Sequence, residues 1–349
     1  MRGVIALLGS GETAPGMTKV HRRLLARHDA VRAVNLDTPY GFQANVEQVT
    51  GKLVDYFATS LSTTLRNLAL PSYDAAGDLQ RALVKHEVAG ASYVFAGPGS
   101  PSYALAQWRP LELVEDLRRA LARDATVCFS SAAVLTLGSH TAPIYEIYKV
   151  GSRPEWLEGL DLLGDLGLAC AAIPHFDNAE GRNYDTRYCY LGESRLEALE
   201  RQLPDGVAVL GVDEHTALLF DLADDTVSVV GRSAGHWRYR GRTLLLANAT
   251  TTPLDALREF VGAAAALPSR ESSPAPEASD ALGDLIARLS GNVHGFDLAP
   301  LIDGILQLRQ RAKDERNFAL ADELRGVLTN AGVEVRDEPT SSTWILRSE

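Results

Sequence analysis

A short apolar run followed by small residues is the first place in this chain where chemistry could be concentrated. Thr126–Phe129 has the character of a buried strand, and Ser130-Ser131-Ala132-Ala133 follows it before a helical pattern that ends near Gly138. A nucleophilic serine at a strand–turn–helix elbow needs small neighbours, because the backbone there is strained and crowded. The elbow also points backbone N–H groups at the space where an oxyanion would form. The pattern is typical of a serine nucleophile, and an ordinary small-residue turn is the alternative.

A serine nucleophile needs a base, and the base needs a group that orients it. His175 follows the apolar run Leu168–Ile173, at the strand edge where open α/β sheets place their sites. His215 is the competing base, although a structural hydrogen-bonding role suits it equally well. For the orienting acid, Glu146 and Asp177 both qualify.

A second glycine-rich turn lies one predicted strand before the elbow. Tyr93–Ala96 is apolar, and Gly97-Pro98-Gly99-Ser100 follows it. Gly99 can offer a backbone N–H where a side chain would obstruct a substrate, whereas Pro98 has no N–H to offer. The turn is therefore a candidate partner of the elbow in holding an oxyanion.

The first glycine cluster imitates a cofactor site. Gly9-Ser10-Gly11-Glu12-Thr13-Ala14 fits the dinucleotide pattern G-x-G-x-x-A, and Asp37 ends the next strand where a ribose-binding acid belongs. However, Pro15-Gly16 disfavours an early helix start, and Glu12 would place a carboxylate beside the pyrophosphate. We interpret the cluster as a tight turn and predict no cofactor. No histidine and acid share the spacing of a metal motif, so no metal site is expected.

The elements that would position these residues alternate along the first 135 residues. Helical patterns such as Val46–Ser60 and Leu111–Arg123 separate strands that are apolar throughout, which predicts a doubly wound, mostly parallel sheet covered on both faces. His21, His28 and His86 fall on the helical stretches and are expected to face solvent. The five predicted strands are Val4–Leu8, Val31–Leu36, Leu65–Leu70, Tyr93–Ala96 and Thr126–Phe129.

Closely spaced strands follow between residues 205 and 248. Turn residues such as Asp224-Asp225 and Arg240-Gly241-Arg242 separate them, so we predict antiparallel strands at the edge of the same sheet. These strands are Val207–Leu210, Ala217–Phe220, Val227–Val230, His236–Tyr239 and Leu244–Ala247.

Composition excludes several classes of protein. The 349 residues are 46% hydrophobic and 23% charged, which fits a globular chain and not a disordered one. With 34 Lys and Arg against 45 Asp and Glu, the net charge is −11, the wrong sign for general phosphate-backbone binding. Three cysteines without a C-x-x-C pair indicate a reducing compartment. Without a signal-peptide core or an apolar run of about 18 residues, a cytoplasmic location is expected.

The last 82 residues differ in character from the rest. Residues 268–280 contain seven Pro or Ser in thirteen, which predicts a linker between an α/β domain at 1–267 and a small helical module at 281–349. Val333–Arg336 and Trp344–Leu346 predict a hairpin after the helices. We expect the module to fold separately and not to be required for building the serine site. Its helices would pack through Leu301, Ile305 and Leu308 and through Phe318, Leu324 and Leu328.

Four blocks, taken in order, resemble the dipeptidase E and cyanophycinase family, which are serine peptidases on a class I glutamine amidotransferase-like fold. The blocks are Gly97-Pro98-Gly99-Ser100, Ser130-Ser131-Ala132-Ala133, Ile173-Pro174-His175-Phe176 and Gly211-Val212-Asp213-Glu214. The resemblance covers roughly residues 3–248. It implies Ser131 as the nucleophile, His175 as the base, and Gly99 and Ala132 as the sources of the oxyanion-hole amides. Glu146, fifteen residues after the serine, is the acid that the family implies, whereas the amidotransferase branch implies Asp177.

The chain departs from the family pattern at the elbow. The family reads Gly-x-Ser-Ala-Gly-Ala, whereas Phe129 and Ala133 replace the two glycines here, and Pro98 interrupts the earlier turn. These departures leave a second hypothesis open, a non-catalytic ligand-binding or scaffold protein of the same fold. The residues that would read a substrate are Glu12, Arg182, Asp213 and Glu214.

The tail carries a resemblance of its own. Phe318–Arg325, Gly332-Val333, Asp337-Glu338-Pro339 and Thr343-Trp344 are similar to the C-terminal region of cysteinyl-tRNA synthetases. Residues 281–349 hold eight Lys or Arg against eleven Asp or Glu, a net of −3, which does not favour free-standing tRNA binding. We therefore predict a docking or stabilising appendage and no nucleic-acid partner. A role linked to tRNA or aminoacylation is the alternative.

Together these patterns predict a serine hydrolase that cleaves a peptide or related amide bond through an acyl-enzyme on Ser131. The expected partner is a peptide or small amide substrate, with no membrane. A homodimer is left open.

Overall fold

This computed structural model of the chain has two units, and the larger contains both strands and helices. Contacts divide the chain into Met1–Leu267 and Pro268–Glu349, and each unit is described by itself. Described are residues 2–181 and 183–266 and, in the second unit, 302, 305–307, 309, 310, 313, 324, 325, 328, 333–337 and 342–346. The predicted linker at 268–280 lies outside the described residues, as does Arg182.

The first unit contains fourteen strands among its described residues. They are β1 Val4–Leu8, β2 Ala33–Leu36, β3 Leu65–Leu68, β4 Tyr93–Ala96, β5 Thr126–Ser130, β6 His140–Thr141, β7 Leu157–Glu158, β8 Cys170–Ile173, β9 Ala208–Val212, β10 Thr216–Asp221, β11 Thr226–Gly231, β12 Gly235–Tyr239, β13 Arg242–Leu246 and β14 Thr251–Pro253. Eight of them form one sheet in the order β14-β11-β10-β1-β5-β4-β2-β3. Strands β1 to β5 run parallel, and β10, β11 and β14 continue the sheet antiparallel. The predicted doubly wound, mostly parallel α/β fold is confirmed.

The remaining strands form a second sheet, in the order β13-β12-β9-β8-β6-β7. The expectation that all the closely spaced strands extend one sheet is therefore wrong, because β10 and β11 join the first sheet while β9, β12 and β13 join the second. Strands β8 and β9 are buried along their whole length and pair parallel to each other. Such strands need apolar cover on both faces. They have it as the central strands of a sheet of their own.

Helices cover the sheets because the strands carry apolar side chains on both faces. In β1, Ile5 and Leu7 belong to the largest core cluster, whereas Val4, Ala6 and Leu8 pack on the other side with α1 and α2. Among the described residues, no helix combines the length and the apolar character needed to cross a membrane. Among the described residues of the first unit, the α-helices are α1 Pro15–Leu25, α2 Val46–Leu61, α3 Asp78–Gly90, α4 Pro101–Leu111, α5 Leu113–Ala122, α6 Gly192–Glu200 and α7 Leu254–Ala266.

The second unit contains the predicted hairpin. Strands β15 Val333–Asp337 and β16 Ser342–Leu346 pair antiparallel, with Val335 opposite Trp344. Described helical residues supply the apolar partners of β15, so the unit has a small core of its own. That core includes Ile302, Ile305, Leu306, Leu328, Val333 and Val335.

Candidate active site

A left-handed residue ends the central strand of the first sheet. Strand β5 is buried throughout, and Ser131 follows it with φ 51°, a conformation that non-glycine residues adopt at an energetic cost. Residues Ser131–Thr136 then form a 3-10 helix where the sequence predicts an α-helix, because the chain must return within a few residues to begin β6. The Ser131 side chain is thereby lifted out of the sheet, and the residue is partly exposed.

Ser131, His175 and Glu214 are joined by two hydrogen bonds. The Ser131 hydroxyl lies 2.9 Å from Nε2 of His175, and Nδ1 of His175 lies 2.7 Å from Oε1 of Glu214. An ionised carboxylate only accepts hydrogen bonds, so Nδ1 carries the proton in the neutral ring and Nε2 accepts from the serine. An arrangement of this kind can activate a serine hydroxyl for nucleophilic attack.

Parallel pairing of β8 and β9 places the base beside its acid. Ile173 is in register with Gly211, so His175 and Glu214 emerge from the same edge of the second sheet. The backbone N–H of His175 donates to the Gly9 carbonyl at 3.2 Å, and this bond connects the second sheet to the loop after β1. Because β1 pairs with β5, with Leu8 opposite Ser130, the imidazole is brought to the nucleophile.

The carboxylate of Glu214 is held by the segment that follows His175. Asn178 donates its side-chain N–H to the same Glu214 oxygen at 3.1 Å. Asp177 does not orient the base, which corrects one expectation, because its carboxylate accepts the backbone N–H of Glu214 at 2.7 Å. The hydrogen bond from His175 lowers the pKa of Glu214, and burial opposes this effect only in part. The Glu214 carboxylate is therefore ionised at neutral pH, where it can accept the hydrogen bond from the imidazole.

Glu146 does not contact the imidazole either, so the acid implied by the family spacing is corrected. Glu146 lies in a π-helical turn at Glu146–Val150 and accepts a short hydrogen bond from the Ser102 hydroxyl. Ser102 in turn lies 2.9 Å from the Ser100 hydroxyl, which caps α4 by accepting from the Tyr103 N–H. The carboxylate thus anchors the first turn of α4, next to the Gly99 turn.

The Gly99 turn emerges at the same sheet edge as the elbow, because β4 pairs parallel with β5. Gly99 has φ 141°, and a β-carbon there would overlap the carbonyl oxygen of Pro39. The Ser100 N–H donates to that carbonyl at 2.7 Å. Ala132, the other predicted oxyanion residue, follows Ser131 directly and is buried. Both residues therefore lie beside the nucleophile's strand, and their role as amide donors stays a prediction.

We expect Gly99→Ala to lower the free energy of unfolding by roughly 2–4 kcal/mol, since it adds both an overlap with Pro39 and an unfavourable positive φ. Gly51→Ala is the matched control, because Gly51 lies inside α2 with open space around its α-carbon. That control should gain about 0.5–1 kcal/mol. Urea unfolding of both variants measures the difference, and equal stabilities would show that the Gly99 turn tolerates a side chain.

Glu12 lies against the foot of the elbow. Its Oε2 accepts the hydroxyl of the buried Ser130 at 3.0 Å, and its backbone carbonyl accepts from Nε2 of His21 at 2.8 Å. The other His21 nitrogen lies 2.7 Å from the Tyr93 hydroxyl, so the neutral ring accepts there. The expectation that His21 faces solvent is wrong, since these two partners allow it to be buried. Glu12 stays a candidate for contact with substrate.

Burial lowers the pKa of His21 from 6.5 to about 4, against a smaller opposing effect of the Glu12 carbonyl. Between those values the unfolded chain binds the proton that the folded chain excludes, so stability falls as pH falls below 6.5. This group alone should cost about 2 kcal/mol between pH 6.5 and pH 5. Urea unfolding at several pH values measures it, and His21→Gln should flatten the slope by about one proton. An unchanged slope would contradict burial of a neutral ring.

The other residues proposed to read a substrate have different surroundings. Asp213 is buried, and its carboxylate accepts from Ser233, Ala234 and His236. Burial favours a higher pKa for Asp213, but these hydrogen bonds keep it below its ordinary value. Asp213 therefore anchors the start of β12, which corrects its assignment as a substrate contact.

The ring of His215, the competing base, lies over Gly11. The backbone N–H of His215 donates to the Ser10 hydroxyl at 3.1 Å. The contact of the Ser131 hydroxyl is with His175, so the geometry favours His175 as the base.

Among the described residues, no cysteine lies where its thiol would be ionised, and no group of side chains lies together as metal ligands. The three cysteines are buried, and burial raises the pKa of Cys128 and Cys189 to about 12 and that of Cys170 further. A thiol in such surroundings is not the thiolate that a nucleophile requires. Within the described ranges no three His, Cys, Asp or Glu side chains are grouped as metal ligands.

Sequence reasoning missed Glu214 as the acid and Asn178 as its second partner. Glu214 was assigned to substrate binding because only spacing along the chain was considered. The available signal was that Gly211–Glu214 and His175 both end apolar runs. Parallel strands bring such ends to one edge.

The fold has known counterparts. A solved peptidase from an acI-B1 Actinobacterium matches 72% of this chain and 97% of its own, with a TM-score of 0.59 and 20% identity. A putative peptidase E protein from Listeria monocytogenes also matches, with a TM-score of 0.47 and 11% identity over 67% of this chain and all of its own. The expected peptidase-like fold is confirmed by the first of these, which at 20% identity shows the fold alone.

Residues 297–344 match the family model of the cysteinyl-tRNA ligase anticodon binding domain. The cysteine–tRNA ligase of Fusobacterium nucleatum is 40% identical over 48 residues, which are 14% of this chain and 10% of the ligase. That of Bifidobacterium longum is 28% identical over 148 residues, 40% of this chain and 27% of the ligase. The chain thus spans about a quarter or less of these ligases. It combines a peptidase-like fold with a C-terminal region that resembles the anticodon binding domain of cysteinyl-tRNA ligases.

Proposed function

We propose that this protein is a serine hydrolase that cleaves a peptide or related amide bond through an acyl-enzyme on Ser131. The observation that carries the proposal is the pair of hydrogen bonds from Ser131 to His175 and from His175 to Glu214, at 2.9 and 2.7 Å. The left-handed Ser131 at the end of β5 supports it, because a strained elbow is typical of serine hydrolases on α/β sheets.

In the first step, His175 Nε2 takes the hydroxyl proton as Ser131 Oγ attacks the carbonyl carbon. The C–N bond then breaks while His175 returns that proton to the leaving amine, and an ester remains on Ser131. A water molecule then attacks the ester carbon while His175 takes its proton; the bond from that carbon to Ser131 Oγ breaks, and His175 returns the proton to Oγ as the acid product leaves. Glu214 accepts the hydrogen bond from the Nδ1–H of His175 throughout and stabilises the imidazolium that forms in each half-reaction.

The oxyanion of each tetrahedral intermediate would be held by the backbone N–H groups of Gly99 and Ala132. Such donors contribute on the order of 3 kcal/mol each when they are well placed. Gly99 suits this role because its lack of a side chain lets the turn pack against Pro39, at the sheet edge where Ser131 follows β5.

The elbow substitutions do not favour the alternative of a non-catalytic binder. Phe129 is fully buried, and its ring lies 5.7 Å from that of Trp108 in the core. Ala133 is buried in the same cluster. Both side chains therefore fill space beneath the elbow, and Ser131 keeps its contact with His175.

An alkyl fluorophosphonate probe tests the proposal. We expect it to label the full-length protein at Ser131, as identified by mass spectrometry of the modified peptide, and to leave Ser131→Ala unlabelled. A peptide and isopeptide library, screened with both proteins, then identifies the cleaved amide. Folded wild-type protein that neither labels nor cleaves any library member would favour the binder.

The match at residues 297–344 supports a second candidate function, contact with tRNA through the tail. The net charge of −3 over residues 281–349 opposes it. A gel shift with tRNA, repeated at rising salt and with a truncation after residue 267, decides between tRNA contact and a stabilising appendage. A salt-sensitive shift confined to the full-length protein supports tRNA binding. Loss of fluorophosphonate labelling in the truncation would instead show that the tail is needed to build the Ser131 site.

A further inference from the structure

Three tyrosines from two segments form a stacked aromatic surface, which we name the tyrosine platform: Tyr148, Tyr184 and Tyr190. The ring of Tyr148 lies 5.1 Å from that of Tyr190 at an interplanar angle of 29°. The Tyr148 ring also lies 6.5 Å from that of Tyr184, at an interplanar angle of 22°. Tyr184 is 57% exposed, so the platform ends in a ring that meets solvent.

The polar ends of the platform already have partners. The hydroxyls of Tyr148 and Tyr184 share a hydrogen bond of 2.9 Å, and the Tyr190 hydroxyl donates to Glu180 at 2.6 Å. With the hydroxyls engaged, the ring faces are what the platform offers to a ligand. Ring faces attract other aromatic rings in offset or tilted arrangements.

The backbone that carries Tyr190 is strained. Tyr188, Cys189 and Tyr190 have φ values of 59°, 54° and 67°, so three consecutive residues with side chains occupy the left-handed region. Strain of this kind persists where surrounding structure enforces it, and it concentrates at active sites and ligand clamps.

The same strained segment is bonded to the backbone of the proposed base. The Cys189 N–H donates to the His175 carbonyl at 3.1 Å, and the Tyr188 N–H donates to the Phe176 carbonyl at 3.0 Å. Tyr190 also lies close enough to Glu214 for that carboxylate to help raise the tyrosine's pKa, after burial and the Glu180 hydrogen bond. The platform therefore adjoins the His175–Glu214 side of the site.

We propose that the tyrosine platform is the specificity surface of the Ser131 site and receives a planar aromatic side chain of the peptide substrate. This inference rests on the proposed function. Val150 lies on the same π-helical turn as Tyr148 and is exposed. An aromatic side chain stacked on the exposed Tyr184 would lie on a surface that adjoins the His175–Glu214 side of the site through the Tyr188–Tyr190 segment.

Diphenyl α-aminoalkylphosphonates, which phosphonylate serine nucleophiles, test the proposal on the full-length protein. Three probes differ only in the side chain, which is benzyl, cyclohexylmethyl or 4-guanidinobenzyl. We expect the benzyl probe to modify Ser131 several-fold faster than the cyclohexylmethyl probe, and up to about tenfold faster, because stacking adds to the burial of apolar area. Tyr148→Leu and the exposed Tyr184→Leu should each bring this ratio close to one, and Tyr184→Leu serves if Tyr148→Leu does not fold.

Phe42→Leu is the matched control, because Phe42 is 51% exposed and pairs with Tyr103 in a separate aromatic cluster. It should leave the ratio unchanged. Equal rates for benzyl and cyclohexylmethyl in wild type, or a ratio lost only in Phe42→Leu, would overturn the inference. A faster guanidinobenzyl probe would assign the surface to cations instead. If the alkyl fluorophosphonate labels Ser131, each of these failures concerns the platform alone, whereas no labelling by any probe removes the proposed function and this inference together.

Discussion

Ser131→Ala should lower the turnover of a cleaved amide by about a millionfold, and adding His175→Ala should lower it little further. The two side chains act as one unit, because the imidazole has no proton to accept once the hydroxyl is gone. The residual rate would come from binding and from the oxyanion-hole amides. The measurement is kcat for the two single variants and the double variant, on a substrate from the library screen.

Independent contributions would give a different pattern. If the effects of Ser131→Ala and His175→Ala multiplied in the double variant, His175 would be acting on some other step. Thermal unfolding of each variant controls for folding, since neither side chain belongs to an apolar core cluster.

Glu214→Gln should lower kcat by about 10³–10⁴-fold. An amide at this position can donate its N–H to Nδ1 of His175, which would put the imidazole proton on Nε2 and leave no base facing Ser131. Hydrogen bonding to His175 keeps the pKa of Glu214 below its ordinary value, so the wild-type carboxylate stays ionised at neutral pH. The measurement is kcat against pH for both proteins.

Glu146→Gln is the matched comparison, since it removes the same charge from the other glutamate that the sequence implicates. It should lose far less activity, because the Glu146 carboxylate accepts from Ser102 and the glutamine carbonyl can accept in its place. A larger loss in Glu146→Gln than in Glu214→Gln would return Glu146 to the role of acid.

The nucleophile and the base were accessible to sequence reasoning because each directly follows an apolar run. Buried parallel strands appear in a sequence as continuous apolar runs, and their carboxyl ends lie at one edge of the sheet. The sequence predicts Ser131 and His175 in this way, and their roles as nucleophile and base stay a proposal.

The acid was missed for a related reason. Glu214 lies in the turn between β9 and β10, and these consecutive strands belong to different sheets. Local spacing does not reveal such a division, because the residues on either side look like one hairpin. Distance along the chain implies Glu146 or Asp177, whereas the pairing of β8 with β9 brings Glu214 to the imidazole.

The tail shows a different limit. Its hairpin follows from alternating residues, and its resemblance to a ligase domain follows from a short motif. The boundaries proposed at 268–280 and the role of the module stay predictions, because composition indicates where a core ends but not what a small unit binds.

Gly9 has a consequence for how the protein would lose activity. The nucleophile belongs to one sheet and its base and acid to the other, and the Gly9 backbone bonds to both His175 and Thr216 where the sheets meet. A side chain at Gly9 would overlap the Asp213 carbonyl, so the junction between the sheets has no room for a larger residue at this position. Turnover by the proposed hydrolase should therefore depend on the alignment of the two sheets.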